Sequence, residues 1–240
     1  MREILGRRRR LRFGRRGGTA RLDAALTCAT AWQWPVLPGV GLQAAGGRGE
    51  RGRACACPDP ECAVPGAHPS DPGLLAATTD ARMVRWWWTN RPAAPVLLAT
   101  GGLAPCALSL PAVAGARALA ELDRTGLRLG PVVATPTRWS LLVAPYTLER
   151  LGELLHAQDW VPSSLRFHGE GGYLVLPPSE IGTGQVRWER APDKVSRPGP
   201  GGGAPVRAVA SPWLPDVGVV LDALVAASSS APDGGSRLAY

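Results

Sequence analysis

The sequence predicts a mixed α+β domain. Stretches with apolar residues at helical spacing alternate along the chain with apolar runs of strand length. The joins between them are rich in turn formers, with 30 Gly and 24 Pro in 240 residues. Helices interleaved with strands admit either an α/β or an α+β arrangement. Hydrophobic residues make up 45% of the chain, enough for a substantial core.

The elements follow in order. "RLDAALTCATAW" (21–32) places Leu22, Ala25, Leu26 and Ala29 on one helical face, and "QWPVLPGV" reads as a strand entering a turn. "TTDARMVRWWWTNRP" predicts a helix with Thr79 as its N-cap, stopped before Pro92. "APVLLATGG" and "CALSL" are short buried strands, and "AVAGARALAELDRTG" is a helix ended by Gly126. "GPVVATPTRWSLLVAP" predicts two strands around a turn. "TLERLGELLHAQD" predicts an amphipathic helix burying Leu148, Leu151, Leu154 and Leu155. "RFHGEGGYLVLPPS" is strand, turn and strand, "GQVRWERA" a further strand, and "PDVGVVLDALVAAS" a final helix. Three parts result: a basic arm at 1–20, a folded domain at 21–191, and 192–240 as a Pro/Gly linker, short helix and loose tail.

Charge is concentrated in the arm. The formal net charge is +8, and residues 1–21, with nine Arg and one Glu, account for all of it. Such an arm is either a solvated tail or a source of sequence-independent attraction to nucleic acid phosphates. Residues 92–116 carry no charge, but Pro92, Pro95, Gly101, Gly102, Pro105 and Pro111 break any membrane-spanning helix there. No uninterrupted apolar stretch precedes Asp23, so a cytoplasmic protein in a reducing compartment is expected, with no membrane partner.

"CACPDPECAVPGAH", within an excursion at 54–69, spaces Cys55, Cys57, Cys62 and His68 as C-x-C-x4-C-x5-H. Thiolates and imidazole are the ligands Zn²⁺ prefers, and four of them close a structural tetrahedral site. A segment this polar cannot fold on apolar burial alone, so the metal would supply its stability. The alternative is a loop of free thiols. Cys28 and Cys106 sit in apolar surroundings and read as buried thiols. Trp86, Trp87 and Trp88 cannot share one helical face, so one or two enter the core and one covers an edge; base stacking is the competing use. In "RFHGEGGYLVLPPS", Gly169, Gly171 and Gly172 permit positive φ or close approach of a ligand, flanked by Arg166, His168 and Ser179. A plain hairpin turn is the simpler account.

These residues carry a likeness. The chain resembles the N-terminal domain of bifunctional DNA primase/polymerases, a prim-pol branch of the archaeo-eukaryotic primase superfamily. "AWQWPVLPGV" is similar to its opening strand and "CACPDPECAVPGAHP" to its zinc-binding excursion. "ATTDARMVRWWWTNRPAAPVLLATG" resembles its helix and following strand, and "LRFHGEGGYLVLPPSEIGTGQVRW" its arginine, glycine-pair and PPS segment. The resemblance implies an open sheet with an RRM-like core and packed helices, and template-directed nucleotide transfer. That chemistry needs acidic side chains that hold divalent metal. The family carries two acids at alternate strand positions followed by proline, and the matching residues here are Leu108 and Leu110 before Pro111. A third acid precedes the arginine of the last motif, where Ser163, Ser164 and Leu165 stand, and the family's histidine strand reads "TRWSLLVA" without histidine.

The expectation is a scaffold without catalytic residues and without catalytic Mg²⁺: a pseudoenzyme that binds nucleic acid or nucleotide through Arg166, His168, Gly171, Gly172 and Ser179. Its setting would be replication or a mobile element, with a replication protein as a possible partner. Two alternatives remain. One is a working primase/polymerase whose acids lie elsewhere. The other is a protein-interaction module, marked by an exposed apolar patch over Leu108 and Leu110.

Overall fold

A computed structural model describes residues 17–44, 53–192 and 211–229. The expectations placed on 1–16, on the linker at 193–210 and on the tail after 229 lie outside the described residues. Those for 17–20 do not hold: these residues already form the first turn of a helix, α1, over 17–26, which continues as a π-turn at Thr27–Ala31. Helices α2 (Ala81–Asn90), α3 (Ala112–Arg124), α4 (Leu148–His156) and α5 (Val217–Ser229) follow. The α2 cap is Asp80 rather than Thr79, because the Asp80 carboxylate accepts the Arg82 N–H at 2.6 Å. Thr147 caps α4 by accepting from Arg150 N. Leu148, the first residue of that helix, is 75% exposed and so leaves the predicted buried face, whereas Leu151 is buried.

The strands are β1 (Val36–Pro38), β2 (Leu42–Ala44), β3 (Arg53–Cys55), β4 (Val96–Ala99), β5 (Cys106–Pro111) and β6 (Val132–Ala134), then β7 (Arg138–Val143), β8 (Arg166–His168) and β9 (Tyr173–Leu176). Short pieces β10 (Glu180–Ile181), β11 (Gly184–Gln185) and β12 (Arg187–Arg190) complete them. All pairings are antiparallel. β12-β6-β7-β5-β8 form one sheet, β1-β4-β9 a second, and β2-β3 and β10-β11 are hairpins.

The five-stranded sheet has different neighbours on its two faces. Leu108, Leu110, Val132, Leu141 and Val143 pack with Ala118 and Leu122 of α3 and with Val220, Leu221 and Leu224 of α5. Burying each such aliphatic chain is worth about 1.5–3 kcal/mol. The C-terminal helix is therefore part of this core. On the opposite face, Ala107, Val133 and Leu142 join a second core built from the β1-β4-β9 sheet, α1 and α2. Trp87 and Trp88 enter that second core, with Trp88 Nε1 donating to Ala94 O at 3.1 Å, while Trp86 stays 59% exposed.

Two crossings join the sheets side by side. One runs from β4 to β5 through Gly101-Gly102, the other from β8 to β9 through 169–172. Thr100 ties them, its N–H donating to Gly172 O at 3.0 Å and its Oγ1 to Gly169 O at 2.6 Å. Gly101 has φ +91°, and a Cβ there would lie 2.7 Å from Glu170 N, so only glycine allows the crossings to meet.

Candidate functional site

The cysteine excursion is held by its neighbours. Cys55 ends β3 opposite Leu42. Val40 N–H donates to His68 O at 2.9 Å and Gly182 N–H to Pro65 O at 2.8 Å, pinning the loop to the end of β1 and to the β10-β11 turn. The ligand atoms of Cys55, Cys57, Cys62 and His68 all lie within 4.8 Å of one another. His68 Nδ1 pairs with Pro69 O at 2.8 Å, which leaves Nε2 facing the thiols, 3.3 Å from Cys55 Sγ. Burial pushes the Cys55 thiol up, but hydrogen bonds from Gly66 N–H, Cys57 and His68 outweigh it and bring it down to about 6. Burial and the neighbouring Cys55 and Cys57 push Cys62 up to about 11. Three sulfurs and an imidazole so placed can bind a metal ion, and all four predicted ligands come together.

The second cluster lies on the five-stranded sheet, and here the register decides which side chains meet. Ser109 stands across from Ser140 in β7 and from Arg166 in β8; Ala107 stands across from His168, and Pro111 from Arg138. Directly paired residues share a face, so one face carries Ala107, Ser109, Arg138, Ser140, Arg166 and His168. Leu108 and Leu110 point the other way, into the α3–α5 core, and are 0% and 1% exposed. Leu108 and Leu110 therefore do not share the face that carries Arg166 and His168, and among the described residues they form no exposed apolar patch. The positions of β5 that face Arg166 and His168 are Ala107 and Ser109. Ser164, expected at the third acid position, lies before β8 and contributes its carbonyl.

Hydrogen bonds knit the cluster. Ser109 Oγ is 3.0 Å from His168 Nε2. Arg138 Nη2 donates to Ser109 O and to Ser164 O, both at 2.7 Å, and reaches Ser109 Oγ at 3.3 Å. Burial first, and then the Arg138 and Arg166 charges, push His168 down to about 4, against a hydrogen bond with the Tyr173 backbone that favours protonation. Burial and the charge of Arg166 bring Arg138 down to about 10. At neutral pH the face thus holds two guanidinium ions and a neutral imidazole. None of its described residues is a carboxylate.

Other predicted ligand-binding residues have structural duties. Ser179 is fully buried, and its Oγ accepts Val96 N–H at 2.9 Å, so it anchors β4 and is not open to a ligand. Gly171, at φ +76°, turns the β8–β9 crossing. A Cβ on Gly172 would lie 2.8 Å from Thr100 Oγ1, so this glycine serves the junction of the sheets. Arg138 and Ser109 were not predicted. Their signals were present: Arg138 is the only charge in "RWSLLV", and Ser109 the only polar residue in "CALSLP".

The chain is thus an antiparallel α+β domain with a Cys₃His excursion and a polar cluster on its central sheet. The family model described as bifunctional DNA primase/polymerase, N-terminal, matches residues 25–205. The chain belongs to that family. No curated protein and no solved structure matches it. Among the described residues no helix is long and apolar enough to cross a membrane.

Proposed function

We propose that this member of the primase/polymerase family binds nucleic acid or nucleotide without polymerising it. The observation that carries this is the composition of the sheet face. Joining nucleotides needs carboxylates to align divalent cations with the attacking hydroxyl and the triphosphate. The face formed by β7, β5 and β8 offers Arg138, Ser140, Ala107, Ser109, Arg166 and His168 in their place. Its positive charge suits phosphates, and the arginine-rich segment 1–21 adds to the attraction. Cys55, Cys57, Cys62 and His68 would hold Zn²⁺ in a structural role, since four protein ligands would leave no open position for catalysis. A replication or mobile-element role in the cytoplasm, beside a replication protein, accords with the family.

The test pairs two assays on the full chain. Fluorescence anisotropy with single-stranded DNA should show binding that weakens steeply with salt. Primer synthesis on a template, with nucleotides and Mn²⁺ or Mg²⁺, should yield no product. Metal-dependent synthesis, lost on changing one specific acid, would overturn the proposal.

A further inference from the structure

Arg138 and Arg166 share one sheet face, and no described carboxylate pairs with either. Arg138 is held from two sides by the Ser109 and Ser164 carbonyls. Those dipoles orient the guanidinium but do not neutralise it. Guanidinium groups cannot shed their charge at neutral pH, so the mutual repulsion persists in the folded protein. Half-buried like charges without a counterion are costly, and an anion arriving between them would remove that cost. Ser109 Oγ and the imidazole of His168 lie beside the pair as further hydrogen-bonding groups.

We propose that this face is a phosphate site that works without divalent metal, with the guanidinium groups of Arg138 and Arg166 holding a terminal phosphate directly. Two fixed positive charges balance a terminal phosphate dianion, whereas a backbone diester carries a single charge and would leave one guanidinium uncompensated. The ligand is therefore either a free nucleotide or the 5′-phosphorylated end of a strand. Planar guanidinium groups suit phosphate oxygens through paired N–H donors. The proposal rests on the nucleotide-binding reading above, and the experiment separates the two.

The full chain, zinc-loaded and free of chelator, is titrated in buffer depleted of Mg²⁺ and Mn²⁺ with a fluorescent deoxynucleoside triphosphate and with one labelled oligonucleotide carrying either a 5′-phosphate or a 5′-hydroxyl. Expected is saturable binding of the triphosphate, of the 5′-phosphorylated strand, or of both; whichever binds identifies the source. Arg166→Gln should weaken it about tenfold or more, the loss of one charge-assisted contact. Arg138→Lys keeps the charge and should fall between wild type and Arg138→Gln, with unchanged circular dichroism guarding against misfolding. Binding that requires Mg²⁺ or Mn²⁺, or is unmoved by Arg166→Gln, would overturn the phosphate site. Equal affinity for both oligonucleotide ends, unaffected by either arginine substitution, would remove the site but leave nucleic acid binding standing. Metal-dependent primer synthesis would remove the broader reading instead.

Discussion

Ser109 and Arg166 stand directly across from each other on adjacent antiparallel strands, so the strand that could carry cation-binding acids faces a permanent cation. Four expectations follow from this arrangement and from the packing around it.

The two faces of β5 should respond oppositely to a carboxylate. Leu108→Asp places a charge in the apolar α3–α5 core and should cost about 4 kcal/mol or more, enough to unfold a marginal domain. Ser109→Asp places the same charge beside Arg138, across from Arg166, and should leave the chain folded. Urea denaturation followed by circular dichroism compares them. A folded Leu108→Asp variant would show the register to be wrong.

His168 should make stability depend on pH. Its folded value lies near 4, below an ordinary value of 6.5, because burial and the Arg138 and Arg166 charges disfavour the imidazolium, against the Tyr173 hydrogen bond. A base depressed by folding contributes in full above about 6.5, and that contribution drains away as pH falls toward about 4. Between pH 7 and pH 5 the loss should approach about 2 kcal/mol. His168→Gln should lack this component, read as a smaller difference between urea midpoints at the two pH values.

Purified protein should carry about one zinc per chain, measured by elemental analysis. Cys62→Ser should lose most of it, and a strong chelator should destabilise the β2-β3 hairpin that delivers Cys55. A Cys62→Ser variant that retains full zinc would refute the ligand set.

Gly101 and Gly102 both have positive φ, but only Gly101 abuts the second crossing. Gly102→Ala should cost about 1 kcal/mol from backbone strain alone. Gly101→Ala also drives a methyl into the Glu170 backbone and should cost about 3 kcal/mol. Thermal midpoints would rank them, and equal midpoints would mean that the crossings are looser than described.

Much of the fold was legible because its signals are local. Helical spacing in 112–126, the turn at 135–137 and the strands either side of Gly171-Gly172 need no knowledge of distant residues. The four metal-ligating residues were equally visible, since all lie within fourteen positions of one another along the chain. The facing of β5 was not. Its first five residues are buried on both sides, so the apolar–polar alternation that reveals a face is nearly absent, and a slip of one residue exchanges the faces. Asp80 was overlooked as a cap because Thr79 beside it is an equally good candidate by type, and only the backbone geometry separates them.

The sequence by itself determined that this is an α+β chain with a short-range Cys₃His cluster and a primase/polymerase signature, because spacing, turn residues and ligand types are properties of neighbours in the chain. Only the tertiary structure decided that Ser109, Arg138, Arg166 and His168 form one site while Leu108 and Leu110 are core. Those residues come from three strands up to 59 positions apart, and the register of antiparallel pairing, rather than any local preference, brings them onto one face.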